Sequence, residues 1–244
     1  MGRKLARPTP TYLSVAAYPG GTMVQQEFNK AYIDPRPEVA ALVPTESRSI
    51  LDVGCSVGSL GAALKERSGA AVTGVEFSPE MSIEAAKKLD AVHTGDAEVI
   101  LAGDLLGEAS FDCMVFADIL EHLREPWDAL SNAAQRLEPG GSVVASLPNI
   151  RHVDTLFHQV VLGRWPYRER GIHDRTHLRF FTRKNIVELF EGAGLRIEKM
   201  ERVYRIVEKP HRLNRIAPLI AMPFLPWYRE FFVFQYLVRA RKSG

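Results

Sequence analysis

Residues 49–58, SILDVGCSVG, constrain the fold more than any other stretch of the chain. A short apolar run, Ser49–Val53, leads straight into a glycine-bearing turn, and Leu60–Arg67 has helical character just beyond it. A buried strand that turns directly into a helix is the unit of a parallel sheet, because parallel strands need a crossover between them. The unit then repeats. Ala71–Glu76 reads as a second strand, and Ser78 caps a helix with Pro79 at its first position. Ala91–Thr94 and Phe111–Phe116 read as the third and fourth strands. A helix over about 127–137 stops at Pro139-Gly140-Gly141, and Ser142–Leu147 is the fifth strand. Strands alternating with helices predict a doubly wound α/β domain with a mostly parallel sheet covered on both faces. Ligands of such sheets bind in the loops at the carboxyl ends of the strands.

Composition limits the alternatives. The chain has 244 residues, is 46% hydrophobic and 25% charged, and so can bury a single sizeable core. Its formal net charge of +2 gives no electrostatic reason to expect a nucleic-acid partner. Two cysteines, Cys55 and Cys113, are too few for a disulfide framework and read as packing residues. The basic start MGRKLARPTP is followed by no apolar core of a signal peptide, and no apolar run is long enough to span a bilayer. Cytoplasmic residence is the expectation.

The chain divides into four parts. Residues 1–48 are a preamble or lid, 49–206 the α/β core, 207–229 an insert, and 230–244 a closing strand. Within the later region, Thr182 caps a helix through Ala193, and Leu195–Ile206 and Phe231–Arg239 read as strands. The insert mixes Ile216, Leu219, Ile220, Met222, Phe224 and Leu225 with Arg212, Arg215 and Arg229. It suits a lid, a homodimer surface or peripheral contact with a membrane, and its three prolines prevent one continuous amphipathic helix.

The first turn carries the cofactor signal. Gly54 permits the tight turn, and Ser56 and Gly58 let a ligand approach the backbone. Glu76 ends the second strand 22 positions after Gly54, where a carboxylate can accept hydrogen bonds from both ribose hydroxyls of an adenosine cofactor. The dinucleotide pattern G-x-G-x-x-G fits poorly, with Ser56 and Ser59 at its second and third glycines. Asp52, two residues before Gly54, instead resembles the first motif of class I S-adenosylmethionine methyltransferases, with Ser56 in place of the middle glycine. Gly95-Asp96, Phe111-Asp112, Asp118–Leu123 (DILEHL) and Leu137–Gly141 extend that resemblance over about 49–203. The resemblance implies a seven-stranded Rossmann-like sheet whose last strand runs antiparallel. It also implies S-adenosylmethionine bound by Asp52, Gly54, Cys55, Ser56, Gly58, Glu76, Phe77, Gly95, Asp96, Ala97 and Asp118.

Methyl transfer to a hydroxyl needs an aligned acceptor and a group to take its proton. His177, Glu121 and His122 are the candidates, His177 as base and the other two in support. Asp118, Glu121, His122 and His177 also resemble the metal set of ubiquinone-pathway O-methyltransferases and small-RNA 2′-O-methyltransferases, which implies Mg²⁺. Asp in place of the usual first Glu shortens that arm, and Glu-His-Leu also occurs at this point in methyltransferases that use no metal. His152, His158 and His173 read as surface or loop residues, and Arg175 and Arg179 as clamps for an anionic acceptor or partners of Asp174. The stretch SLPNIRH and the later LGRWPYRERGIHDRTHLRFFT resemble a branch that accompanies glycosyltransferases in bacterial polysaccharide and glycolipid pathways. A sugar or glycan hydroxyl, stacked on Trp165, Tyr167 and Phe180, is therefore the leading acceptor. A phenolic or quinone-precursor acceptor is the alternative, and a non-catalytic cofactor-binding regulator or an NAD-dependent enzyme is more remote.

Overall fold

The computed structural model describes residues 34–206, 212–218 and 226–242. Most of the preamble and much of the 207–229 insert therefore lie outside the described residues.

Seven strands form one sheet in the order β3-β2-β1-β4-β5-β7-β6. β1 (Ser49–Val53), β2 (Ala71–Glu76), β3 (Ala91–Thr94), β4 (Phe111–Ala117) and β5 (Leu137–Pro148) are parallel. β7 (Val233–Lys242) enters between β5 and β6 (Leu195–Tyr204) and runs antiparallel to both. This is the seven-stranded, mostly parallel architecture expected. Among the described residues, no helix is long and apolar enough to cross a membrane.

Alternation along the strands splits the core in two. Leu51 and Val53 of β1 join Met114, Phe116, Val143 and Ala145 on one face. That face is covered by helices over Ala97–Ala102, Pro126–Gln135 and Arg183–Gly192, which contribute Ile100, Leu130 and Leu189. Ile50, Val72, Cys113 and Val115 point the other way, onto Leu60 and Leu64 of the helix Ser59–Ser68 and Val39 of the helix Pro37–Ala40. Numbered in chain order, these helices are α1 (Pro37–Ala40), α2 (Ser59–Ser68), α3 (Pro79–Ala85), α4 (Ala97–Ala102), α5 (Pro126–Gln135), α6 (Val153–Leu156) and α7 (Arg183–Gly192).

Two elements depart from expectation. The Pro-Gly-Gly stretch is not a stop outside the sheet, because β5 already begins at Leu137, paired with Phe111, and a register shift follows. Gly141 is required there: a Cβ on it would lie 3.0 Å from the Asp112 carbonyl oxygen. α4 was not anticipated from hydrophobic pattern. Asp96 caps it, Oδ1 accepting the Glu98 amide at 2.9 Å. α7 has the expected Thr182 cap, reinforced by a reciprocal bond from the Thr182 backbone to the Asn185 side chain.

Candidate active site

The loop after β1 is built by three left-handed residues in alternation, Gly54 (φ 75°), Ser56 (φ 51°) and Gly58 (φ 75°). A Cβ on Gly54 would lie 3.1 Å from the Ile119 side chain, and one on Gly58 would lie 3.1 Å from the Ala85 backbone. Ser56 keeps the backbone path of the missing glycine despite its side chain, whose Oγ approaches Met81 Sδ at 3.6 Å. Glu76 ties the loop to the end of β2. Its Oε2 accepts the Ser56 amide at 2.8 Å and its Oε1 the Ser78 amide at 2.9 Å. Each oxygen retains a lone pair for a ligand hydroxyl. Phe77, next in sequence, is 71% exposed, an open ring beside the acid.

Asp52 lies 1% exposed beneath this loop, and its Oδ2 has no hydrogen-bond partner. Burial, aided by the nearby Glu76 charge, raises its pKa to about 7. A buried carboxylate oxygen without a partner is costly, which is why the proton is held more tightly. Cys55 contributes only backbone, because its thiol packs against Gly74 and burial pushes its pKa up. Gly95 donates its amide to the Glu76 carbonyl at 2.8 Å, which brings the Gly95-Asp96-Ala97 loop beside the end of β2. Asp96 Oδ2 is paired with Arg124 at 2.7 Å.

Beyond β4 the four expected metal ligands separate. Glu121, His122 and His177 each offer a donor atom, all within 4.8 Å of one another. Asp118 does not join them. It adopts φ 54°, accepts Ser146 Oγ at 2.8 Å and Gln235 Nε2, and pairs with Arg36. Arg36 also reaches Gln235 Oε1 at 3.3 Å. The short Asp arm is turned to the Arg36 guanidinium, so of the four expected residues the structure brings together three, Glu121, His122 and His177.

The remaining three converge, each with one ring or carboxylate atom turned toward the others. His177 Nδ1 donates to the Ile172 carbonyl at 3.2 Å, so Nε2 carries the lone pair, 3.9 Å from Glu121 Oε1. His122 Nδ1 donates to Thr176 Oγ1 at 3.1 Å, whose own proton goes to Asp174 Oδ1 at 2.6 Å. The rings of His122 and His177 meet edge to face at 4.7 Å. Burial, then the His122 charge, lowers His177 to a pKa of about 4, so its imidazole is neutral near pH 7. Glu121 is buried with Oε2 unpartnered, and burial and then Asp118 push its pKa well up.

An open cleft of about 530 Å³ runs from His177 along Trp165, Tyr167, Phe180, Ile150 and Asp174. Trp165 stands edge-on to Phe180 at 5.2 Å and to His173 at 5.0 Å. His152 and His173 are fully buried rather than on the surface. His152 bonds the Arg205 carbonyl at 2.8 Å, and His173 bonds Thr155 at 3.1 Å. Arg175 pairs with Glu169 and Arg179 with Glu125, neither with Asp174.

A family model described as a methyltransferase domain matches residues 24–200. The chain belongs to this family. It is an S-adenosylmethionine-dependent methyltransferase. The methyltransferase is 30% identical over 195 residues to the ubiquinone biosynthesis O-methyltransferase of Saccharophagus degradans, covering 75% of this chain and 76% of that one. It is 36% identical over 134 residues to the mitochondrial ubiquinone biosynthesis O-methyltransferase of Schizosaccharomyces pombe, covering 52% of this chain and 48% of that one. The chain thus spans from about half to about three quarters of the length of these relatives. In fold it is similar to a SAM-dependent methyltransferase from Archaeoglobus fulgidus, with a TM-score of 0.60, 18% identity and coverage of 86% and 95%. A second solved neighbour, from Mesorhizobium loti, has a TM-score of 0.57, 19% identity and coverage of 84% and 96%.

Arg36 and Gln235, beside Asp118, are not singled out by the sequence. Both reach Asp118 from distant parts of the chain, and neither stands in a local motif.

Proposed function

We propose that the methyltransferase transfers the methyl group of S-adenosylmethionine to a phenolic oxygen of a small aromatic acceptor. The observation that carries this is the aromatic-walled cleft leading to His177. A flat ring fits between Trp165, Tyr167 and Phe180, with its oxygen toward the imidazole. The names of the relatives favour this acceptor over the sugar that the sequence put first.

The cofactor is held from Asp52 to Asp118. Glu76 takes the ribose hydroxyls, Phe77 covers the adenine, and Asp96 faces its amine. The backbone of Gly54, Cys55, Ser56 and Gly58 lies against the methionine end, with Gly95 and Ala97 shaping the adenine side. Arg36 and Asp118 together match the carboxylate and ammonium of the amino-acid end.

The transfer is an in-line displacement at the sulfonium methyl. The acceptor oxygen forms the new bond, the sulfur keeps the old bonding pair, and the phenolic proton must leave. His177 Nε2 is the lone pair placed to take it. Glu121, His122 and His177 also fit a divalent ion, because Glu121 Oε2 is buried without a partner and both rings are pinned at Nδ1. One carboxylate and two imidazoles suit Zn²⁺, Mn²⁺ or Fe²⁺ better than the Mg²⁺ anticipated from a set that included Asp118. When bound, such an ion lowers the pKa of an acceptor hydroxyl. His177 Nε2 cannot ligate and accept a proton at once, so ion and base are alternative roles for that atom.

The test is release of S-adenosylhomocysteine against catechols, sugar nucleotides and glycolipid glycans, with divalent ions and with EDTA. Turnover on catechols is expected. Turnover confined to sugars would overturn the phenolic reading, and inactivity throughout would favour a regulator.

A further inference from the structure

Arg124 follows the turn that carries Glu121 and His122, and it faces away from them. Its Nη2 pairs with Asp96 Oδ2 at 2.7 Å, and its Nε with Glu98 Oε2 at 3.1 Å. The backbone does the same work twice more: the Arg124 amide donates to Glu98 Oε2 at 3.2 Å and the Glu125 amide to Glu98 Oε1 at 2.7 Å. Asp96 Oδ1 is already committed to the cap of α4. One oxygen is held by the cap and the other by Arg124, so both ends of the Asp96 carboxylate are engaged.

The opposite side of the same segment is pinned by the acceptor loop. The Glu121 carbonyl accepts the amides of Leu178 at 2.9 Å and Arg179 at 3.0 Å. The Arg124 carbonyl accepts Arg179 Nη2, and the Arg179 guanidinium lies 5.8 Å over the Trp127 ring. Residues 121–125 are therefore clamped between the wall of the cleft and the loop after β3.

We propose that Arg124 is a positioning residue for adenine: by fixing the Asp96 carboxylate it makes cofactor recognition selective for a 6-amino purine. The proposal rests on the reading that Asp96 faces the adenine amine. An acceptor held in one orientation rewards a donor at position 6 and penalises a carbonyl there, whereas a carboxylate free to rotate adapts to either through water.

The experiment measures dissociation constants of S-adenosylhomocysteine and its 6-oxo analogue, S-inosylhomocysteine, for wild type, Arg124→Gln, Arg124→Lys and Glu98→Gln. Wild type should prefer the adenine compound by about tenfold or more, the range of one charge-assisted hydrogen bond. Arg124→Gln should bring the ratio close to one while the affinity for the 6-oxo compound moves by less than about threefold, and Arg124→Lys should restore part of it. A general loss of structure would weaken both ligands equally and leave the ratio intact. Glu98→Gln, which loosens Arg124 from its other anchor, should reduce the ratio in the same direction and serves if Arg124→Gln does not fold. A wild-type preference that survives in both variants overturns the proposal. No preference in wild type overturns instead the placement of Asp96 against the amine.

Discussion

The Arg36 guanidinium pairs with the Asp118 carboxylate across 82 positions of the chain, at the point where β4 ends. With Asp118 held by Arg36, the ion proposed above has Glu121, His122 and His177 as its ligands. Asp118→Asn should therefore leave the stoichiometry and affinity of Zn²⁺ or Mn²⁺ binding within about threefold of wild type, whereas His122→Ala and His177→Ala should each lower affinity by about tenfold or more. Calorimetric titration checks this. An Asp118→Asn loss as large as that of His177→Ala would return Asp118 to the ligand set.

Asp52 makes the free protein sensitive to pH. Its folded pKa of about 7 lies above its ordinary value of 3.8, so between those values the folded state holds a proton that the unfolded state has released. Stability therefore falls as pH rises from about 4 to 7 and levels off above, with a total cost on the order of 4 kcal/mol. Asp52→Asn should flatten that slope, be more stable than wild type at pH 8, and bind S-adenosylmethionine more weakly. Urea melts at pH 5 and pH 8 measure the first part. An unchanged slope would show that Asp52 does not titrate in this range.

Gly58 and Gly140 share a backbone conformation, φ 75° and 73°, but differ in surroundings. A Cβ at Gly140 meets nothing within 4 Å, while one at Gly58 meets the Ala85 backbone at 3.1 Å. Gly140→Ala should cost only the conformational penalty, about 1 kcal/mol. Gly58→Ala should cost about 1–2 kcal/mol more, and cofactor affinity should fall with it. Paired thermal melts separate the two terms, and equal losses would contradict the close approach.

Trp165 forms cleft wall beside His177 and packs edge-on to His173 and Phe180. Trp165→Ala should raise the acceptor KM by about tenfold and leave the dissociation constant of S-adenosylhomocysteine unchanged. A fall in cofactor affinity of the same size would place Trp165 on the wrong side of the site.

Local patterns were legible where one segment carries its own signal. Ala71–Glu76 and Ala91–Thr94 are strands with the bounds read from the sequence, each a short segment with β-branched residues that ends at a turn. Thr182 and Ser78 announce their helices through the side chains that cap them. The start of β5 was hidden, since Pro-Gly-Gly signals a helix stop equally well whether or not a bulged strand follows. His152 and His173, read as surface or loop residues, do lie in loops, but their burial could not be read because their partners, Arg205 and Thr155, are brought to them only by the fold. In the site itself, Glu76 and the β1 loop could be read from spacing, while the removal of Asp118 could not. That depends on Arg36, Ser146 and Gln235, three residues from three separate elements.

The position of β7 between β5 and β6 sets an order of assembly. β6 precedes β7 along the chain, and among the described residues its strand partner in the sheet is β7, so its hydrogen bonds in the sheet wait for residues 233–242. Gln235 arrives in the same step and delivers its amide to Asp118. Arg36 and Ser146 lie before β7 in the chain, so of these three contacts of Asp118 only that from Gln235 waits for the last strand. A nascent chain stopped before β7 would lack both the Gln235 contact of Asp118 and the sheet partner of β6.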